Sequence, residues 1–382
     1  MKYACCRFIF LIALSHFAPT ASLLAQTTPT EAASSAQSGG GISGYMELHY
    51  NKVDERDAQL DFHRFVLLVA HSFSPRIRFV GELELEHAVV EGLEDRGELE
   101  LEQAYLDFLL SRRFNIRAGM MLVPLGIINE RHEPPVFNGV ERPFVDSVII
   151  PSTWFEAGVG VHGEIGSGLR YRVFAMAPLD AAGFDAAEGI RGGRQMGVES
   201  NVRHFAGTGR VEYLGIPHLA AGASFWVGNS GFSTPGVNAT VRIGEVDARY
   251  HRGPLELRAQ FARVQIGDAG RLNAVLQPRQ GVSPNIASGT LGAYGEVAYR
   301  VWDKGPARDL VTFVRYENFD TQYRMPAGTL PLEQYDRDAW VVGASYYPDP
   351  DVVVKVDVIR VRNQSGIIKP SNSVNVGLGW WF

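Results

Sequence analysis

The sequence predicts an all-β protein, a transmembrane antiparallel β-barrel of 16 strands with a long third external loop folded into the lumen. Three observations predict it. Apolar and polar residues alternate with period two in segment after segment, the pattern of strands with one apolar and one wet face. Tight turns alternate with long loops, as in an up-and-down meander with two unlike ends. No segment supplies a second layer to cover the apolar face, so lipid is left as the cover, and a sheet in lipid must close on itself.

The first 25 residues read as a signal peptide: Lys2 and Arg7 precede the apolar run Phe8 to Leu14, and small residues continue to Ala25. That run is too short to span a bilayer, which needs roughly 20 apolar residues. The polar stretch at 26–41, "QTTPTEAASSAQSGGG", reads as a flexible tether. Residues 42–382 then form one barrel domain.

In "ISGYMELHY" Ile42, Gly44, Met46, Leu48 and Tyr50 oppose Ser43, Tyr45, Glu47 and His49. In "RIRFVGELELE" Ile77, Phe79, Gly81, Leu83 and Leu85 oppose Arg78, Val80, Glu82, Glu84 and Glu86. Strands are expected near 42–50, 60–71, 76–87, 98–110, 113–122, 153–165, 168–178, 205–214, 218–228, 238–250, 254–267, 289–301, 307–320, 335–348, 350–362 and 373–382. Tight turns, all but 111–112 with glycine or proline, fall at 72–75, 111–112, 166–167, 216–218, 253–254, 303–307 and 348–349. Long loops lie between, among them "EGLEDRG" and the stretches 123–152 and 179–204. Tyr346, Tyr347, Trp302, Trp226, Trp340 and Tyr316 sit near strand ends, where aromatic girdles belong. The chain ends on "NVGLGWWF", with Val374, Val376, Leu378, Trp380 and Phe382 on one face. The last strand must pair with the first, so this terminus is expected to be held.

Composition excludes several classes. Cys5 and Cys6 both lie in the signal, which leaves no disulfide and no thiol chemistry downstream. The formal charge of −6 argues against nucleic-acid binding. His132 lies near Glu130 and Glu133 without a serine nucleophile in a recognisable frame, so neither catalysis nor a cofactor is expected. A solvated loop histidine with no metal is expected of His132, and metal binding with those carboxylates is the alternative.

One region goes beyond a generic barrel. Ala104-Tyr105, Arg117, Gly119, Pro124, Gly126, Glu141-Arg142-Pro143 and Gly158-Val159 occur in the order found in phosphate-selective porins of the O and P type, which residues 60–165 resemble. The resemblance implies a sixteen-stranded outer-membrane barrel of a Gram-negative bacterium, a homotrimer, whose third external loop narrows a passive channel for small hydrophilic solutes. It also implies lipid and lipopolysaccharide around the barrel. The terminal strand, through Trp380 and Phe382, resembles the signal read by the barrel assembly machinery. The departure is in the lysines. After the signal only Lys52, Lys304, Lys355 and Lys369 remain, and by the strand map Lys355 alone is on the wall. Phosphate selectivity is therefore one alternative and a general or substrate-preferring porin a second. An outer-membrane enzyme on a barrel scaffold is the remotest, since it would want a serine or aspartate with a histidine on adjacent strands near the lipid boundary.

By alternation Arg78, Arg117, Arg170, Arg172, Arg258, Arg315 and Lys355 face the lumen, opposite Glu82, Glu84, Glu86, Asp107, Glu164, Glu256 and Glu317. Opposed charges across a narrow wet channel set a transverse field. Glu130, Arg131, His132, Glu133, Glu141 and Arg142 are the candidates for the constriction.

Overall fold

A computed structural model describes residues 41–88, 97–276, 283–302 and 309–382. The expected signal, the tether up to residue 40, most of "EGLEDRG" and the turn expected at 303–307 lie outside the described residues. The strands are β1 (Gly41–Val53), β2 (Gln59–Ser74), β3 (Ile77–Glu86), β4 (Leu99–Phe108), β5 (Asn115–Leu122), β6 (Phe155–Ile165), β7 (Leu169–Met176) and β8 (Ala206–Ile216). They continue as β9 (Leu219–Asn229), β10 (Thr240–Arg252), β11 (Leu255–Ile266), β12 (Gly289–Trp302), β13 (Asp309–Arg324), β14 (Asp336–Asp349), β15 (Val352–Asn363) and β16 (Ser371–Trp381). Each strand pairs antiparallel with its neighbours in sequence, and β1 pairs with β16 to close the barrel.

The alternation read from the sequence is the alternation of the wall. In β13, Phe313, Arg315 and Glu317 are buried while Val314 and Tyr316 between them are exposed. Inward residues are buried because loops and long charged side chains fill the interior, and outward residues are Val, Leu, Tyr and Phe.

At the seam Tyr45 lies opposite Trp381 and Val53 opposite Ser373. Gly44 and Phe382 exchange two backbone hydrogen bonds of 3.0 Å, and the Phe382 ring stacks on Phe65 with centroids 6.4 Å apart. The chain end is thus fixed, and Trp380 stands between Met46 of β1 and Val352 of β15.

Gly119 of β5 has φ +134°, and a Cβ there would come within 2.3 Å of the Ala104 carbonyl oxygen. Glycine is needed because β4 and β5 approach too closely for a side chain.

Three expectations are corrected. Trp226 is 1 % exposed and points inward against Trp154, 4.4 Å between ring centroids, instead of joining an outer girdle. Tyr347 is also turned inward, its hydroxyl donating to the Pro135 carbonyl at 3.4 Å. Lys52 lies within β1 and not in a loop, because the β1–β16 ladder runs on to Val53. Trp340 and Tyr316 do face outward together, with ring centroids 4.9 Å apart.

Candidate functional site

The connection between β5 and β6, residues 123–154, makes its hydrogen bonds with inward side chains from much of the barrel's circumference. Gly126 N donates to Ser224 of β9 at 3.3 Å, and Gln260 of β11 donates to Asp146 at 2.9 Å. Asn138 donates to Glu296 of β12 at 2.9 Å, and Val145 N to Glu317 of β13 at 3.1 Å. Val140 N donates to Asp357 of β15 at 2.6 Å, and Asn51 of β1 donates to Glu141 at 2.7 Å. Backbone groups of a buried segment need such partners, since unpaired buried ones each cost about 1–3 kcal/mol.

Two expected wall cations belong to this anchorage. Lys355 donates to the Phe137 and Gly139 carbonyls at 2.9 and 2.8 Å, and its ammonium lies 3.9 Å from the Phe137 ring centroid. Arg315, 1 % exposed, donates to the Asn138 carbonyl at 3.0 Å and pairs with Glu296 and Glu317. Both are covered by the loop. Arg258 is similarly buried, paired with Glu256 at 2.5 Å and 3.8 Å from Glu296.

The other expected wall charges pair with near neighbours. Asp107 holds Arg117 at 2.8 Å, Arg78 at 3.4 Å and His162 at 3.2 Å. Glu164 pairs with Arg170 at 2.9 Å, while Arg112 reaches it at 3.0 Å. Arg172 of β7 meets Glu130 of the loop at 3.1 Å, and Arg131 lies 3.8 Å from Glu212 of β8.

The same alternation marks members that the sequence reading passed over. Arg64 of β2 lies 2.9 Å from Glu84 and 3.4 Å from both Glu47 and Glu86. Arg210 of β8 lies 2.6 Å from Asp247 and 3.4 Å from Glu245, while Arg249 contacts Glu212. The string "EVDAR" at 245–249 carried that signal, with Glu245, Asp247 and Arg249 on one face.

The six constriction candidates are not one cluster. Glu130 and Arg131 turn toward β7 and β8. Glu141 sits by β1, its carboxylate 3.4 Å from His49. Arg142 reaches back to the His132 carbonyl at 3.5 Å. His132 is 2 % exposed, and its partners are not the sequence-adjacent Glu130 and Glu133. Its Nδ1 lies 3.1 Å from the Asn129 carbonyl, and its Nε2 lies 3.2 Å from Glu102 and 4.0 Å from Glu82. Burial, then the nearby Arg142, pull the His132 imidazole down to about 4, so it is neutral at ordinary pH. Burial raises the Glu133 carboxyl. Burial also pushes Asp146 up to about 7, with Glu317 and Asp247 adding to it against the Gln260 bond.

No family model matches the chain. An uncharacterized protein of Aquifex aeolicus is 32% identical over 332 residues, covering 84% of this chain and 76% of that protein. Among solved structures, the outer membrane channel DcaP of Acinetobacter baumannii superposes with a TM-score of 0.59 at 13% identity, over 90% of this chain and 97% of that one. An anion-selective porin from Comamonas acidovorans gives 0.58 at 12% identity, over 90% and 99%. At such identities the likeness is one of fold.

Proposed function

Since this chain belongs to the family of the Aquifex aeolicus protein and folds as a closed sixteen-stranded barrel, we propose that it is an outer-membrane channel for passive diffusion of small hydrophilic solutes. The observation that carries the reading is the opposition of the two wall faces. Outside, the barrel shows Val297, Val314, Val342, Val356 and Phe261, each between 37% and 53% exposed. Such a surface suits lipid and not water. Inside, ion-paired carboxylates and arginines line the wall, and the 123–154 loop hydrogen-bonds to side chains of that wall.

On this reading the 123–154 loop is the constriction. The charges left to act on a passing solute are those not covered by it: Arg78, Arg117, Arg131, Arg142, Arg172 and Arg249, with Glu130, Glu141 and Glu164. Filtering by lysine, as the phosphate-selective resemblance would have it, loses support because Lys355 is spent on loop carbonyls. An arginine-and-carboxylate ladder favours small polar solutes by size and dipole, and any anion preference would come from Arg131 and Arg142. A homotrimer is what the same resemblance implies, while the signal peptide at 1–25 and the tether at 26–41 are proposed from their composition and the assembly signal in Trp380 and Phe382 from the pattern of the last strand.

Planar bilayers test the proposal. Purified protein should insert as stepwise open channels, and reversal potentials across a gradient of potassium phosphate should give its ion preference. Protein that inserts but passes no current would refute conduction.

A further inference from the structure

We propose that Glu82, Glu102 and His132 form a binding site for a borderline divalent cation of the Zn2+ class, which ties the loop to the barrel wall. The three side chains come from β3, β4 and the loop, and are 3 %, 0 % and 2 % exposed. One ligand atom from each lies within 4.8 Å of the other two.

The tautomer points the same way. The Asn129 carbonyl can only accept, so the 3.1 Å contact places the imidazole proton on Nδ1. Nε2 then presents a lone pair. It faces the Glu102 carboxylate at 3.2 Å, lone pair against lone pair, with no hydrogen bond between them. Neither Glu102 oxygen has a hydrogen-bond partner. Two acceptors held this close and this deep need either a shared proton or a metal ion between them, and uptake of Zn2+ decides between the two. Ligands about 2.1 Å from a common zinc stand about 3.4 Å apart in a tetrahedron, close to the separation seen.

The outer shell is built as well. Gln103 donates to Glu82 Oε2, which leaves Oε1 toward His132, and Asn129 orients the imidazole. The Tyr45 ring packs edge-on to His132 at 6.2 Å, its hydroxyl buried without a partner. Glu84 and Glu133 add negative charge nearby. Arg64 already serves Glu47, Glu84 and Glu86, and Arg142 stands against Glu82, Glu102 and Glu133, so the local excess is anionic.

The two other groupings of this kind among the described residues share His63. Arg64 donates to its Nε2 at 2.9 Å, which puts the ring proton on Nδ1, where it is donated to Asp61 at 3.3 Å, so neither nitrogen offers a metal a lone pair. One imidazole with two carboxylates suits Zn2+ or a neighbouring transition ion better than Ca2+ or Mg2+, which take oxygen alone.

The site rests on the barrel's geometry and not on conduction, so a silent barrel that binds zinc would leave it standing. Barrel purified from membranes, stripped with EDTA and dialysed, should take up one Zn2+ per chain by elemental analysis. Co2+ should give the intense visible bands of a four- or five-coordinate site. H132A and E102Q should weaken Zn2+ binding by more than about 100-fold, and Q103L by about 10- to 100-fold, the range for outer-shell partners. E164Q should bind as the wild type does. Failure to retain Zn2+, or binding unchanged in H132A and E102Q, would overturn the proposal. Should H132A not fold, the Co2+-loaded wild type decides, because a weak octahedral spectrum would sink the site.

Discussion

Lys355→Ala should loosen the loop while leaving the sheet intact. The ammonium satisfies two buried loop carbonyls, at 2.9 and 2.8 Å. Leaving them unpaired costs about 1–3 kcal/mol each, so about 2–6 kcal/mol in all. Relief from burying an ammonium offsets part of this, so the lower figure, about 2 kcal/mol, is the expectation. That is a roughly 30-fold rise in the detached population. Trypsin added to the folded barrel reads that population when reclosing is fast relative to cleavage. Arg131 is the loop bond to watch, because Arg142 precedes Pro143 and resists the enzyme. Cleavage after Arg131 should quicken by about the same factor, with the folded band on unheated gels unchanged. An unaltered rate would show that Lys355 does not hold the loop, and the anchorage argument would fail with it.

Four further outcomes are expected. Replacing Arg131 and Arg142 together with alanine should move the reversal potential in a salt gradient toward cations, whereas no movement would remove both from the filter. Deleting Phe382 forfeits both hydrogen bonds to Gly44 and the stacking on Phe65, so the yield of heat-modifiable folded barrel should fall severalfold; full yield would refute the seam argument. Gly119→Ala should abolish folding on unheated gels, because its Cβ would meet the Ala104 carbonyl oxygen at 2.3 Å. Asp146 carries a pH effect. Its folded-state value, about 7, lies above the ordinary 3.8, so the stability it contributes is full below pH 3.8 and is lost as pH rises through 7. Asp146→Asn should therefore flatten the decline in melting temperature between pH 4 and pH 8; an unchanged slope would assign that decline to another group.

The wall was legible because one period governs it. Phe313 to Glu317 alternate in sequence as they do in space, and the sixteen expected segments each overlap an observed strand. Ends differed where a ladder continued past the last apolar residue, as β1 does through Lys52 to Val53, opposite Ser373. The loop was legible as a loop but not as a set of partners. His132 lies in sequence between Glu130 and Glu133, yet its neighbours are Glu82 and Glu102, because the loop lies against β3 and β4 at that point. Lys355 read as an open wall charge for the same reason: alternation gives a side chain's direction and is blind to what another segment lays over it. Trp226 was misplaced because an aromatic near a strand end serves a girdle or a filler according to parity, and its parity with Ser224 puts it inside.

The pairing of β1 with β16 has a consequence for biogenesis. Tyr45 meets Trp381 only after nearly the whole polypeptide has been delivered, and no earlier pair of strands can stand in for that join. Bringing such distant positions together costs chain entropy that local hairpins do not recover until the ring shuts. An incomplete product therefore keeps two raw edges, and a cell could sort finished from unfinished molecules by that property alone.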